Sequence, residues 1–259
     1  MRLKKIISAT LLFFVISLVF VGINMPNALA AYSRKTAAAT YPNTISFSGY
    51  TWSVQNSEQL CQPGPNYWSN NPANVWVDGN GWLHLKITNR NGKWYCAEVT
   101  STQTLGYGTY VFYTVSHVDT LDKNVVLGLF AYKDDNHEVD IEYSKWSNPA
   151  YNNGWFSVQP APFTQGKNQQ SFNLQLSGTY STHYFTWKPT SAYFEVYGGH
   201  YPVGTEPVGN IVKSFTSYKA VDATGVRAHM NLWLFNGKVP SNSLPAEVVV
   251  KSFQFIPLK

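Results

Sequence analysis

Residues 138 to 142 read Glu-Val-Asp-Ile-Glu, and this pentapeptide constrains the fold more than any other segment of the chain. Valine and isoleucine favour β-strands, and the alternation of acidic and apolar residues has the two-residue period of a half-buried strand. Glu138, Asp140 and Glu142 are therefore predicted to share one face of a strand. Repulsion among them raises at least one pKa, so that one carboxyl stays protonated beside ionised neighbours.

A proton donor beside a carboxylate is what glycoside hydrolysis requires. Residues four apart on a strand have Cα atoms about 13 Å apart, whereas retaining glycosidases hold their two carboxyl groups about 5 Å apart. The side chains of Glu138 and Glu142 would close that gap on a concave sheet, with the shorter Asp140 between them. An exposed strand that carries three solvated acids is the alternative reading of the pentapeptide alone.

The rest of the chain indicates an all-β fold. Strand-like runs recur from residue 83 to residue 256, and turn-forming clusters such as Asn89-Arg90-Asn91-Gly92 separate them. No amphipathic helix competes with these runs, and no linker or repeat divides residues 41–259, so one domain is expected. The pattern predicts an antiparallel β-sandwich of two packed sheets.

The first 30 residues have the form of a secretory signal peptide. Three basic residues precede an apolar run from Ile6 to Ile23, and Ala28-Leu29-Ala30 resembles a signal-peptidase site. We therefore expect cleavage after Ala30, a flexible segment over residues 31–40, and a secreted protein without stable membrane association; an uncleaved membrane anchor is the alternative. Without the signal, 16 Lys and Arg face 14 Asp and Glu, a balance that does not indicate nucleic-acid binding.

Cys61 and Cys96 are the two cysteines of the chain. In an exported protein an even pair is most simply a disulfide, and closing this loop of 35 residues would contribute roughly 4 kcal/mol. Two cysteines do not make a metal site by themselves, and no histidine spacing completes one.

Composition indicates a neutral, ring-shaped ligand. Aromatic residues make up 16% of the chain and charged residues 13%, about half the charged share of a typical soluble domain. Sugar rings stack on aromatic side chains through their apolar faces, and their hydroxyls bind amides and carboxylates. The aromatic residues that we consider for this role, with core packing as the alternative for each, are Tyr67, Trp68, Tyr107, Trp146, Trp155 and Trp233.

The segment Glu138-Val-Asp-Ile-Glu142-Tyr closely resembles the catalytic strand of glycoside hydrolase family 16, in the form without a β-bulge found in bacterial lichenases and xyloglucan transglycosylases. Further matches occur in the same order over about residues 41 to 257. Their positions are Trp52, Cys61, Cys96-Ala-Glu98, Leu105-Gly-Tyr-Gly-Thr-Tyr110, His183-Tyr-Phe-Thr-Trp187 and Met230-Asn-Leu-Trp233.

The resemblance implies a jelly-roll (concanavalin A-like) sandwich with a concave substrate cleft, formed by residues 41–259 as the catalytic domain. It implies that Glu138 is the nucleophile, Glu142 the general acid/base and Asp140 the assisting carboxylate of a double displacement that retains the anomeric configuration. It further implies substrate contacts for Glu98, Asn231 and Trp233, and for Gln159 on a neighbouring strand. Tyr67 and Trp146 are added as candidate sugar platforms, and the cysteine match agrees with the expected disulfide.

Departures from the family concern the substrate and the metal. Lichenases have Trp-Asp before the first catalytic Glu, where this chain has Asn136-His137, and an aromatic residue and Arg after Cys-Ala-Glu, where it has Val99-Thr100. The proline-containing segment 62–74 is expected to rebuild the missing wall of the cleft, with a plain surface loop as the alternative. Val248-Val-Val250 replaces the strand on which the family often places a calcium-binding Asp, so no metal or other cofactor is expected.

The sequence thus predicts a monomeric endo-β-glucan hydrolase that acts on a β-1,3-1,4- or β-1,3-linked polysaccharide. A jelly roll that binds carbohydrate without turnover and a transglycosylase that uses the same covalent intermediate are the alternatives. The linkage is not predicted, because linkage choice depends on the loops around the cleft. His137 is expected to pack inside the sandwich rather than to act as a base, since parity places it on the opposite strand face from Glu138.

Overall fold

The computed structural model describes residues 41–259. The predicted signal peptide and the segment 31–40 lie outside the described residues. Residues 41–259 belong to one compact unit. No helix within residues 41–259 has the length and apolar character needed to cross a membrane.

The described chain consists almost entirely of β-strands. The strands, numbered in chain order, are β1 Thr44–Phe47, β2 Tyr50–Val54, β3 Ser57–Cys61, β4 Asn66–Trp68, β5 Val75–Val77, β6 Leu83–Arg90, β7 Lys93–Ser101, β8 Gly108–Val115, β9 Val125–Asp134, β10 His137–Tyr143, β11 Gly154–Val158, β12 Gln169–Phe172, β13 Tyr180–Lys188, β14 Ser191–Gly198, β15 Ile211–Ser217, β16 Arg227–Leu234 and β17 Ala246–Pro257. Three single-turn 3-10 helices lie at Val118–Thr120, Val208–Asn210 and Phe235–Gly237.

Strand pairing defines two antiparallel sheets. The front sheet has the order β1-β2-β7-β16-β9-β10-β11-β12. The back sheet has the order β5-β6-β17-β8-β13-β14-β15. Strands β3 and β4 flank β7, and β4 runs parallel to it. The predicted all-β, antiparallel jelly-roll sandwich is confirmed.

The hairpin between β6 and β7 joins the two sheets. Arg90 pairs with Lys93, so Asn91 and Gly92 form a two-residue loop. Both loop residues have positive φ, 53° and 83°, as a type I′ turn requires, and Asn-Gly is the dipeptide that best adopts it. This turn carries the chain from the back sheet into β7, the strand that holds Glu98.

The core lies between the sheets and is rich in aromatic side chains. Trp52 of the front sheet meets Phe253 of the back sheet at 5.2 Å between ring centroids, edge to face. Phe156 and Phe194 stack across the same interface at 5.0 Å. Such pairs contribute about 0.5–1.5 kcal/mol beyond the area that they bury. The opposite face of the front sheet is therefore free to carry polar side chains.

Candidate active site

Strand β10 alternates as its sequence predicts. Val139, Ile141 and Tyr143 are completely buried in the core, whereas Glu138 and Glu142 are half-buried on the other face. The register with β9 is continuous from Glu138 to Tyr143, and its one shift falls between His137 and Glu138. No bulge therefore separates the three carboxylates, which alternate regularly along one strand face.

The carboxylates line the floor of a cleft of about 550 Å³ on the front sheet. Strands β7, β16, β9 and β10 supply most of its surface, and the chain between β2 and β4 supplies the rest. The lining residues are Gln55, Gln62, Pro63, Glu98, Gly128, Phe130, Tyr132, Asp135, Glu138, Asp140, Glu142, His229, Asn231 and Trp233.

One row of polar groups crosses the strands towards Glu142. Register places Glu98 opposite Asn231, Asn231 opposite Gly128, and Gly128 opposite Glu142. The Asn231 side chain donates to Glu98 at 3.4 Å and accepts from the Gly128 amide at 3.1 Å. A Cβ on Gly128 would lie 2.5 Å from the Asn231 oxygen, so any larger residue here would displace the Asn231 side chain. The predicted residues Glu98 and Asn231 are thus brought into one row with the carboxylates.

A second row contains residues that the sequence analysis did not single out. His229 pairs with Phe130, and their rings stack at 4.8 Å. The His229 ring edge contacts Glu98 at 3.3 Å, and Tyr132 meets the His229 ring edge to face at 5.7 Å. These three rings form an aromatic wall beside the acids. Their two-residue spacing on β9 and β16 was the available signal, but only the pairing register shows that they adjoin.

Burial and mutual repulsion dominate the electrostatics of the three acids. Burial, followed by the charge of Glu142, raises the pKa of Glu138 to about 8. Burial raises the pKa of Glu142 to about 7, and a hydrogen bond with Asp140 partly opposes that rise. Burial and its two neighbours raise the pKa of Asp140 well above its usual range. The protonated Asp140 donates a hydrogen bond to Glu142, which raises the pKa of Asp140 and lowers that of Glu142.

Gln159 directly follows β11 and contacts the first acid. Its backbone amide donates to the Glu138 carbonyl at 3.1 Å. Its side chain also hydrogen-bonds to the Glu138 carboxyl, which lowers the pKa of that group against the larger effect of burial. The predicted Gln159 thus belongs to the site as a partner of Glu138, although it is not part of the cleft lining.

The three aromatic candidates for sugar binding differ in their distance from the cleft. Trp233 lines the cleft. Trp146 lies one layer away, where it contacts Trp233 at 6.4 Å and Trp155 at 6.2 Å between ring centroids. Tyr67 is outside the cleft, because it packs against Tyr95 at 5.8 Å on the face of β4 opposite to the buried Asn66 and Trp68. The structure therefore does not bring Tyr67 to the carboxylates.

The segment after Cys61 does form part of the cleft wall. Gln62 and Pro63 are among the lining residues. The Asn66 side chain donates to the Leu234 carbonyl at 3.0 Å, which fastens this segment to the end of β16. The expectation that the segment rebuilds a wall of the cleft agrees with this placement.

The expected disulfide is not present. Cys61 and Cys96 are both free thiols. Strand β4 lies between them, since Cys61 pairs with Asn66 while Cys96 pairs with Trp68 on the other side. Strands on either side of a third are about 9–10 Å apart, beyond the Cα separation of about 7 Å that a disulfide spans. Burial raises the pKa of the Cys96 thiol to about 12.

His137 does not pack inside the sandwich as expected. Its ring lies 2.6 Å from Asp134 at the end of the β9–β10 hairpin and is partly exposed. The register shift at this position turns the side chain away from the core. Within residues 41–259, no group of three or more His, Cys, Asp or Glu side chains is placed to hold a metal ion.

Comparison with known proteins shows which known fold this chain shares. No protein-family profile and no curated protein sequence matches the chain. Among solved structures, the β-glucanase of Bacillus licheniformis superposes with a TM-score of 0.61 at 19% identity, over 87% of this chain and 100% of the other. A β-1,3-glucanase of Mycobacterium marinum gives 0.60 at 17% identity, over 84% and 95%. A pseudo-β-1,3-glucanase of Mycobacterium tuberculosis gives 0.54 at 20%, over 80% and 91%. The chain therefore has the lichenase-like fold of family 16 β-glucanases.

Proposed function

We propose that this chain is a retaining endo-β-glucan hydrolase. The observation that carries the proposal is the presence of Glu138, Asp140 and Glu142 on one face of an unbulged strand in the floor of the cleft. In this mechanism Glu138 attacks the anomeric carbon while Glu142 protonates the departing glycosidic oxygen. Glu142, now ionised, then removes a proton from water, which displaces Glu138 from the glycosyl-enzyme.

The hydrogen-bond partners of the acids support these roles, while burial raises the pKa of Glu138 to about 8, above the value of about 7 for Glu142. The raised pKa of Glu142 keeps a proton available near neutral pH, as a general acid needs. The Gln159 side chain favours the ionised form of Glu138, as a nucleophile needs. Burial raises the pKa of Asp140, and the protonated Asp140 donates a hydrogen bond to Glu142, which stabilises Glu142 once it has lost its own proton.

The cleft supports a neutral polysaccharide as substrate. Glu98 and Asn231 present carboxylate and amide groups to hydroxyls, and Trp233 presents an aromatic surface in the same cleft. The structurally similar proteins include a β-1,3-1,4-glucanase and a β-1,3-glucanase, so we infer a β-1,3-1,4- or β-1,3-linked glucan. We infer that the protein is secreted from the signal-like first 30 residues, and that it acts as a monomer without a cofactor.

A panel of polysaccharides, assayed for new reducing ends, tests the proposal. The wild type should release reducing ends from at least one mixed-linkage or β-1,3-glucan. Glu138→Gln keeps the shape of the side chain but removes the nucleophilic charge, so it should abolish release and retain binding. The matched control is Glu58→Gln on the exposed strand β3, which should retain full activity. Near-native turnover by Glu138→Gln would remove the catalytic assignment.

A carbohydrate-binding protein without turnover is the second candidate. One structurally similar protein is described as a pseudo-β-1,3-glucanase, which is the observation that favours this candidate. Binding of a glucan with no new reducing ends on any substrate would favour this candidate. A transglycosylase would instead yield longer oligosaccharides when acceptor sugars are added, because a sugar hydroxyl replaces water in the second step.

A further inference from the structure

The residue after Glu142 makes a hydrogen bond through the middle of the sandwich. Tyr143 lies on β10 in the front sheet, and its hydroxyl is 2.6 Å from His183 Nδ1 on β13 in the back sheet. Both side chains are completely buried. Among residues 41–259, this is the one side-chain pair hydrogen-bonded between a front-sheet strand and a back-sheet strand.

The second nitrogen of His183 is also bonded. Nε2 lies 2.9 Å from Ser181 Oγ and 3.1 Å from Thr114 Oγ1, and the two hydroxyls are 2.8 Å apart. Burial lowers the pKa of His183 to about 3, so the ring is neutral. A phenol is a stronger acid than an aliphatic hydroxyl, so we assign the Tyr143 hydroxyl as donor to Nδ1 and Nε2–H as donor to the hydroxyls. The histidine therefore has a single tautomer, with both nitrogens bonded.

The remaining contacts of this strand face with the back sheet are apolar. Val139 and Ile141 are completely buried core side chains without polar atoms. Apolar packing has no directional preference, whereas a hydrogen bond of 2.6 Å fixes both distance and angle. The bond is thus placed to fix the height of β10 above the back sheet at the position next to Glu142.

We propose that the Tyr143–His183 hydrogen bond positions the general acid Glu142, which makes Tyr143 and His183 positioning residues of the reaction. The inference rests on the proposed function. Neither residue reaches the cleft, so each acts through the strand that carries the acid. A displacement of about 1 Å at a reacting group can lower a rate by about 100-fold, so one buried bond suffices for a measurable effect.

The first test removes one oxygen atom. Tyr143→Phe should lower kcat about tenfold or more, with little change in KM, because the cleft rows that bind sugar are untouched. The matched control is Tyr110→Phe on β8 in the back sheet, which is also completely buried and donates to the Gly106 carbonyl at 2.6 Å. The control should lose comparable thermal stability but keep its kcat. An equal loss of kcat in both variants would overturn the proposal.

A double variant separates positioning from stability. Tyr143→Phe leaves Nδ1 of His183 buried without a partner, which destabilises the fold. Adding His183→Leu removes that nitrogen, and the Ser181 and Thr114 hydroxyls still bond to each other. The double variant should regain thermal stability while kcat stays low. Recovery of both quantities would show that the bond serves stability alone.

Amide hydrogen exchange provides a readout that needs no turnover. Tyr143→Phe should speed exchange over residues 137–143 more than Tyr110→Phe does, because β10 loses its directional anchor. Equal exchange over this strand in the two variants would contradict the positioning role. If the wild type is inactive on every glucan, the proposed function fails, while the exchange data still decide whether the bond holds the strand.

Discussion

The acid cluster should make the protein less stable as the pH rises, and Glu142→Gln should remove much of that loss. Burial raises the pKa of Glu142 from 4.5 to about 7, so between these values the native state binds a proton that the unfolded state has released. Stability then falls as the pH rises through this range, because deprotonation favours the unfolded chain. At 1.36 kcal/mol per pH unit, this difference corresponds to about 3 kcal/mol for Glu142, of which about 2–3 kcal/mol is lost between pH 5 and pH 8.

The variant should therefore lose at least about 2–3 kcal/mol less than the wild type between pH 5 and pH 8. The difference exceeds the contribution of Glu142 alone, because the charge of Glu142 also raises the pKa of Glu138. Urea unfolding followed by tryptophan fluorescence, at constant ionic strength and several pH values, measures the difference. Glu58→Gln is the control, since Glu58 is exposed on β3 and glutamine can still accept from the Tyr95 hydroxyl. Parallel curves for the wild type and Glu142→Gln would refute the assignment of buried, repelling carboxyls.

Three further predictions address the site and the thiols. Asp140→Ala removes the hydrogen bond that lowers the pKa of Glu142, so the alkaline limb of the kcat/KM profile should move to higher pH. Asp140→Asn keeps a hydrogen-bond donor and should move this limb less. A shift of the limb to lower pH would mean that Asp140 is ionised. Gly128→Ala should raise KM and destabilise the fold by about 1–3 kcal/mol, because the new Cβ displaces Asn231, and unchanged kinetics would exclude Asn231 from binding. Titration of the unfolded, unreduced protein should find two thiols, and Cys96 should not react in the native state. If no thiol titrates, the two cysteines form a disulfide after all.

The strand with the acids was predictable because its two-residue period coincides with real burial. Val139 and Ile141 face the core and the acids face the cleft, as alternation requires. Strand β15, Ile211–Ser217, lacks such a period, because its core-facing and outward positions are not clearly apolar and polar, and its pairing with β14 makes it a strand. Local propensity decides the first case and tertiary pairing the second.

The pairing register between strands decides which residues lie next to the acids, and a single sequence does not specify that register. Phe130 and His229 adjoin because β9 and β16 pair there, and nothing in either strand alone indicates that pairing. Tyr67 lies outside the cleft for the same reason, since a shift of one residue decides which face of β4 is buried. The disulfide was predicted from an even number of cysteines in an exported protein, whereas the strand order places β4 between Cys61 and Cys96.

The stereochemistry of the first product tests the central claim most directly. Proton NMR of the anomeric signals, recorded during hydrolysis of a glucan before mutarotation, reports the configuration that the enzyme releases. Double displacement through Glu138 predicts that the first-formed reducing end is β. An initial α product would mean single displacement by water and carboxyl groups about 6.5–9.5 Å apart. That result would contradict the role of Glu138 as nucleophile.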